Sequence, residues 1–456
     1  MLGHIPWPRR CKRGIAATLI AATVLSGCAS ASRQTPPAES NEPAPSKAYG
    51  RAFLVEARQT FRFILDPDVT GPVQATGSRL VRAIGEDADA VHFFVVDEPQ
   101  PNAFVVPGGY VFVFSGLLSK LSDDEELAGV LAHELGHVAY NHFFQNRNQV
   151  LALNLATVAA LLLSGGHPAA LAFGMGADYH LQLAYSRENE NEADAAAVKF
   201  MRKARYDPAG LARFFRTLEI YERFNSPLVP AYFTTHPGVS DRLRVVETMI
   251  EGTPTPPTPP DPEVIDWGRL KASLNTPPDE RASSPRDRYL RGVYFAKNHR
   301  ITGAIAEFRA VLAAEPRHGA ARADLAWVLL QDQRRDDARA EALRARQDAP
   351  DLAGPNLVLG VLAQDAGDHR DAVRYFLEAA ARASNDPTTH LRLATSYAAL
   401  NDSPRELYHL GRHLRLSLEP ERAAALYQRL LAMPGADPEL KRVAEQELHI
   451  MAREGI

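Results

Sequence analysis

The sequence predicts a mainly α protein with a small β-sheet: an α+β domain in its N-terminal part, followed by an α-helical solenoid. Three observations lead there. Two runs rich in Val, Phe and Tyr between residues 91 and 114 have strand composition and lie among stretches of helical spacing. Gly292, Ala326, Gly360 and Ala394 recur every 34 residues, and Ala304, Ala338 and Ala372 recur at the same period twelve residues later. Between these regions Thr253 to Pro262 is a proline-dense connector of polyproline II character. The 456 residues suffice for two or three domains.

The first stretch reads as a leader. Arg9, Arg10, Lys12 and Arg13 precede an apolar run from Gly14 to Leu25, and Leu25-Ser26-Gly27-Cys28 closes it with small residues before a cysteine. This resembles a bacterial lipoprotein signal, which implies cleavage before Cys28, lipid on Cys28 and, with Ala29 rather than Asp next, sorting to the outer membrane. The apolar run is shorter than the roughly 18 to 20 residues a bilayer-spanning helix needs. Cys11 and Cys28 are the only cysteines, so no disulfide is expected in the remaining chain. Residues 1–27 carry those four basic residues and no Asp or Glu, so their loss takes the net charge from −4 to −8. An acidic remainder argues against nucleic acid as a partner. Residues 28–46 read as a disordered tether, 47–251 as the α+β domain, 252–284 as the proline-rich linker and 285–456 as the repeats.

Within the α+β domain, Ala48 to Leu65 and Val73 to Gly85 have helical spacing, and Val91 to Val96 has the length and composition of a buried strand. Asn102 to Phe114 reads as a hairpin turning at Pro107-Gly108-Gly109. Ser122, three residues before Glu125, is expected to open the next helix with a capping box.

That helix carries His133-Glu134-Leu135-Gly136-His137. One turn apart, the two imidazoles can close on one zinc ion while Glu134 accepts a proton from a water. A third ligand is then required. The position six residues past His137 holds Phe143, and His142 sits about 140° around the helix, so His142 is expected at the surface or in a second layer. Ser186 to Asp194 offers better: Glu190 and Asp194 share a helix face, which suits one carboxylate on the metal and another orienting a ligand His, whereas Glu188 and Glu192 point elsewhere.

The pairing of His133-Glu134-Leu135-Gly136-His137 with Ser186-Arg187 and Glu190-x-x-Ala193-Asp194 resembles the gluzincin zinc metallopeptidases of the HtpX and CAAX-protease type, in their soluble, repeat-bearing periplasmic branch. The resemblance implies a zincin-like fold, with His133, His137 and Glu190 on zinc, Glu134 as general base and Asp194 behind a ligand. It also implies that the hairpin contributes an edge strand beside the zinc, able to take an extended substrate as an added strand; ordinary core strands read equally well from the residues alone. Leu151 to Leu163 and Ala169 to Gly176 are expected as a helical hairpin in the core or over the cleft, with His167 in the loop between. His236-Pro237 resembles the family's His-Pro motif, whose Arg falls five residues after the His; here Arg242 stands at six. His236 is expected to stabilise an oxyanion, to occupy zinc's open position and silence the site, or to be structural. Ser240 is expected to cap the helix running from Asp241 to Ile250.

In the repeats, Phe308 and Phe376 keep the 34-residue register, Glu406 breaks it in the fourth unit, and residues 422–456 supply a fifth hairpin or a cap. The combined reading is a lipid-anchored periplasmic zinc endopeptidase at the outer membrane, acting on misfolded or stalled outer-membrane β-barrel proteins. Its repeats would recruit substrates or the assembly machinery. The rivals are an assembly chaperone with latent proteolysis and a zinc amidase or esterase of the cell wall.

Overall fold

The computed structural model describes residues 44–86, 91–142, 185–224, 232, 236–252 and 265–453. The leader, the tether up to residue 43, the expected hairpin around Leu151 to Gly176 and the Thr253–Pro262 connector lie outside these residues. Residues 43–456 form one compact unit.

Helix α1 (Ala44–Thr60) is followed by the short strand β1 (Phe63–Ile64) and helix α2 (Pro67–Ile84). Phe63 and Ile64 therefore do not continue the first helix, as their spacing suggested; they pair antiparallel with Val96 and Val95 of β2 (His92–Val96). Helix α2 also starts earlier than Val73. Asp66 caps it by accepting from the Asp68 N–H, and Pro67 fills the first turn, where its missing N–H costs nothing. Strands β3 (Ala103–Val106) and β4 (Tyr110–Phe114) form the expected hairpin, and the sheet order is β1-β2-β4-β3 with β2 and β4 parallel. Both faces are covered: Val105, Val111 and Val113 join the main core, while Phe104, Phe112 and Phe114 pack under Phe53 and Leu54 of α1. Strict alternation inside an all-apolar strand is what lets one sheet serve two cores.

After β4 come α3 (Ser115–Leu118) and α4 (Asp124–Ala139). The N-cap of α4 lies one residue later than the sequence suggests, and the reciprocal bond of a capping box is displaced: Asp123, in extended backbone, accepts from the Glu126 N–H at 2.8 Å, and the Glu126 carboxylate accepts from the N–H of Ser122, the residue before the cap, at 2.7 Å. A carboxylate at the cap accepts more strongly than a hydroxyl and meets the helix dipole favourably. Helices α5 (Arg187–Lys203) and α6 (Ala209–Phe224) pack against α4, and α7 (Val239–Ile250) packs on α5 and α6. Gly238, with φ 82°, caps α7, so Ser240 does not; its hydroxyl instead donates to Glu219.

Beyond the connector, α8 (Trp267–Ser273) ties the two regions together. Leu270 is buried with the first core and Ala272 with the repeat core. The Trp267 indole N–H donates to Asp124, and Arg269 spans Asp68 and Asp324. Five helix pairs follow, α9 (Pro285–Lys297) with α10 (Ile301–Ala314), α11 (Gly319–Gln331) with α12 (Arg335–Asp348), α13 (Gly354–Asp365) with α14 (His369–Arg382), α15 (Pro387–Ala399) with α16 (Ser403–Leu416), and α17 (Pro420–Leu431) with α18 (Pro438–Arg453). Left-handed turn residues recur at His299, Gln333, Gly367 and Asn401, each 34 apart, then at Leu418 and Gly435, each 17 apart. The late turns thus repeat once per helix. Gly411 meets Tyr427 across one such step much as Gly292 meets Phe308, and α15 packs on α16 with Glu406 half-buried, so Glu406 does not prevent the fourth pair from forming.

Candidate metal centre

Helix α4 supplies His133, Glu134 and His137, all buried. Helix α5, opened by a capping box between Ser186 and Asn189, presents Glu190 and Asp194 from its inward face. The two helices approach at Gly136, where a Cβ would lie 2.9 Å from the Ala193 backbone, so this close crossing requires glycine. The third contribution comes from the turn before α7: the His236 N–H donates to the Tyr232 carbonyl at 2.7 Å, and the two rings stack with centroids 4.6 Å apart.

The donor atoms of His133, His137, Glu190 and His236 all fall within 4.8 Å of one another. His133 Nδ1 is 2.9 Å from Asp194 Oδ1, so this nitrogen carries the proton and Nε2 presents its lone pair inward. His137 reaches the same state through a second histidine. His142 Nε2 lies 3.1 Å from Glu192 Oε2 and donates to it, which makes His142 Nδ1 the acceptor of the His137 Nδ1–H at 2.9 Å. His142 is therefore buried in a second layer, not at the surface, and Glu192, expected to point elsewhere, anchors it. The two inward nitrogens face each other at 3.1 Å, with Glu190 oxygens 3.5 Å from each.

Lone pairs and a carboxylate brought this close repel one another unless a cation lies among them. The electrostatics agree. Burial disfavours a charged His133, yet its hydrogen bonds to Asp194 and Glu190 prevail and raise it to about 9, while burial and the neighbouring His133 hold His137 well below the usual imidazole range. Two imidazoles and a carboxylate, with His236 as a fourth donor, suit zinc, and His133, His137 and Glu190 are the residues that would hold it.

Glu134 stands beside this cluster, Oε1 3.6 Å from His236 Nε2, and neither oxygen has a hydrogen-bond partner among the described residues. Burial raises its pKa, which gives a carboxylate prepared to take up a proton. Sequence reasoning placed Arg242 only as an offset motif residue and assigned it no contact. It is 3 % exposed, donates to Asp194 through Nε at 2.8 Å and Nη2 at 2.7 Å, and its Nη1 touches Glu190. With Val239, Leu243 and Val246 it occupies the buried face of α7, so an Arg on an apolar stripe was the available signal. Tyr185 was also missed; its ring stacks on His137 at 3.8 Å between centroids. Strand β3, one of the two edge strands of the sheet among the described residues, packs beside α4.

Residues 67–250 match the Peptidase family M48 model, and residues 295–357 match a tetratricopeptide repeat model. A putative beta-barrel assembly-enhancing protease of Vibrio cholerae is 32% identical over 203 residues, 43% of this chain and 42% of the relative. The beta-barrel assembly-enhancing protease of Escherichia coli K12 is 28% identical over 252 residues, 52% of each chain. The mitochondrial metalloendopeptidase OMA1 of Schizosaccharomyces pombe is 33% identical over 159 residues, 34% of this chain and 45% of the relative. This chain spans about half the length of the curated relatives it matches.

Proposed function

Since residues 67–250 constitute a peptidase family M48 domain with tetratricopeptide repeats behind it, we propose that the protein is a zinc-dependent endopeptidase of polypeptide substrates. The observation that carries this reading is the convergence of His133, His137 and Glu190 donor atoms beside the buried, unpartnered carboxylate of Glu134. Zinc bound there supplies Lewis acidity toward a water and a peptide carbonyl. Glu134 takes the proton from the attacking water and returns it to the leaving amine. Asp194, itself held by Arg242, fixes the tautomer of His133, and His142 does the same for His137. The outer edge of β3, which no described strand covers, aligns an extended substrate by main-chain hydrogen bonds. His236 Nδ1, 3.1 Å from Glu190 and 3.3 Å from His133 Nε2, lies within the donor set, which favours a restraining fourth ligand over an oxyanion donor.

The finer reading is a periplasmic protein held to the outer membrane by lipid on Cys28. It would act on misfolded or stalled β-barrel proteins, with the repeats recruiting clients or the assembly machinery. The leader pattern ending at Leu25-Ser26-Gly27-Cys28 and the names of the bacterial relatives support it. No described helix is long and apolar enough to cross a membrane, so Cys28→Ser is expected to leave the membrane fraction, and retention there would remove the lipid from this account.

Glu134→Gln tests the chemistry. The variant is expected to keep its zinc by elemental analysis while turnover of an unfolded protein substrate falls by about 10²–10⁴. Turnover near wild type would refute the general base, and full turnover after zinc removal would refute the metal. An assembly chaperone, by contrast, would retain its whole client-folding activity in this variant.

A further inference from the structure

The two histidines of α4 are held unequally. The Nδ1–H of His133 meets the carboxylate of Asp194 at 2.9 Å, and Arg242 binds that carboxylate in turn. The Nδ1–H of His137 meets only the lone pair of another imidazole, His142, at 2.9 Å, and the anchor of His142 is Glu192, a carboxylate 54 % exposed. A hydrogen bond to a charged acceptor is about twice as strong as one between neutral groups, so the support behind His137 is the weaker. Such a bond also fixes a direction within the imidazole plane only. The last torsion of a histidine is broad, and a ring bonded at one nitrogen keeps play out of its plane.

Tyr185 supplies that missing restraint. Its ring lies 22° from parallel with His137, the centroids 3.8 Å apart. Against His133, by contrast, the rings of His137 and His236 stand edge-on, at 85° and 69°.

The start of α5 puts the tyrosine there. Ser186 caps this helix in a capping box with Asn189, so Tyr185 precedes the cap and Glu190 is the fourth residue of the helix. Side chains at these two positions ordinarily pack on one another and set the angle at which the chain enters. Here one member is the carboxylate of the metal centre, and the ring of the other extends over His137. One stretch of chain, residues 185–190, thus places cap, carboxylate and ring together. The ring also reaches His236, more openly, at 5.4 Å and 37°.

Stacking leaves the ligand nitrogen unobstructed, because Nε2 lies in the imidazole plane while the phenol lies over its face. It also responds to a cation. An imidazole whose Nε2 lone pair is shared with a metal ion loses electron density, and a ring of positive character is attracted to the negative face of a phenol. The contact is stronger on the loaded site than on the empty one, and by that difference it raises metal affinity.

We propose that Tyr185 is a positioning residue of the metal centre: its ring, and not its hydroxyl, holds the plane of His137 so that Nε2 points into the donor set. This role presupposes that His137 is a zinc ligand.

Full-length Tyr185→Phe, Tyr185→Leu and Tyr185→Met are to be compared with the wild type by competition against a zinc-binding dye and by the visible spectrum after cobalt substitution, neither of which depends on turnover. Tyr185→Phe is expected to match wild-type zinc affinity within about twofold and to keep the cobalt spectrum. Tyr185→Leu and Tyr185→Met, which fill space without offering a ring face, are expected to bind zinc about 3–30-fold more weakly, with altered cobalt bands. Their unfolding midpoints are expected to fall further below wild type in zinc than in chelator; an equal fall would make the ring a packing residue only and overturn the proposal. A Phe variant that loses zinc or turnover assigns the role to the hydroxyl and overturns it too. Wild-type zinc affinity in the Leu and Met variants, or failure of both to fold, has the same consequence. His137→Ala tests the premise separately: it is expected to lose most of its zinc affinity, and if it does not, the ligand assignment fails whatever the Tyr185 variants show.

Discussion

Arg242→Met removes the cation that joins three parts of the centre. In the folded protein its guanidinium satisfies Asp194 with two hydrogen bonds and touches Glu190, and all three side chains are 3 % exposed or less. Its loss leaves two buried carboxylates facing one positively charged group fewer. Breaking a buried pair on one side costs about 3–5 kcal/mol. For a domain of this size that corresponds to a fall in Tm of about 6–20 °C in the presence of a chelator. Zinc offsets the charge on Glu190 but not that on Asp194, so saturating metal is expected to restore part of the loss. Zinc affinity is expected to weaken by about 10–100-fold, because Asp194 no longer has a fixed direction from which to hold His133. Calorimetry with and without chelator, and competition against a zinc-binding dye, measure the two quantities. A chelated Tm within about 2 °C of wild type would refute the argument that Arg242 neutralises the buried acids.

Gly136→Ala is expected to destabilise by about 1–3 kcal/mol and to weaken zinc binding, although alanine is the better helix former, because its Cβ meets the Ala193 backbone and pushes α5, with Glu190, off α4; unchanged zinc affinity would argue against that crossing. His236→Ala is expected to raise basal proteolysis if the ring restrains the site, whereas a fall of about 10²–10³ would assign it to oxyanion stabilisation instead. Acid acts on the repeats. His390 and His409 share a hydrogen bond at 3.0 Å, and burial, aided by Arg412, lowers them to about 4 and about 3. Both bind fewer protons folded than unfolded below the usual 6.5, so stability is complete above that pH and is lost as pH falls toward 4. The loss at pH 5 is about 2–4 kcal/mol for the pair, read from urea midpoints at pH 7 and pH 5, and a His409→Leu variant with the same loss would show that the pair is not its source.

The local chemistry was legible in the sequence. His133, Glu134 and His137 need only the 3.6-residue period to share a face, and Glu190 and Asp194 need the same, because spacing along one helix is a local property. The 34-residue period of small residues likewise revealed the early repeats. Cap positions were read one or two residues off at Asp123 and Gly238, where neighbouring residues compete for the same N–H groups and only the backbone angles decide. What the sequence could not contain was the meeting of separate segments. His142 became a partner of His137 only because α5 brought Glu192 to its far side, and Arg242 became the keystone of Asp194 and Glu190 only because α7 packed its apolar face, Arg included, against α5. The Phe63–Ile64 strand also formed against the local helical pattern, since its hydrogen bonds are made with Val95 and Val96, about thirty residues away. Burial, charge pairing and strand pairing are properties of neighbours in space, and it was the tertiary structure that chose those neighbours.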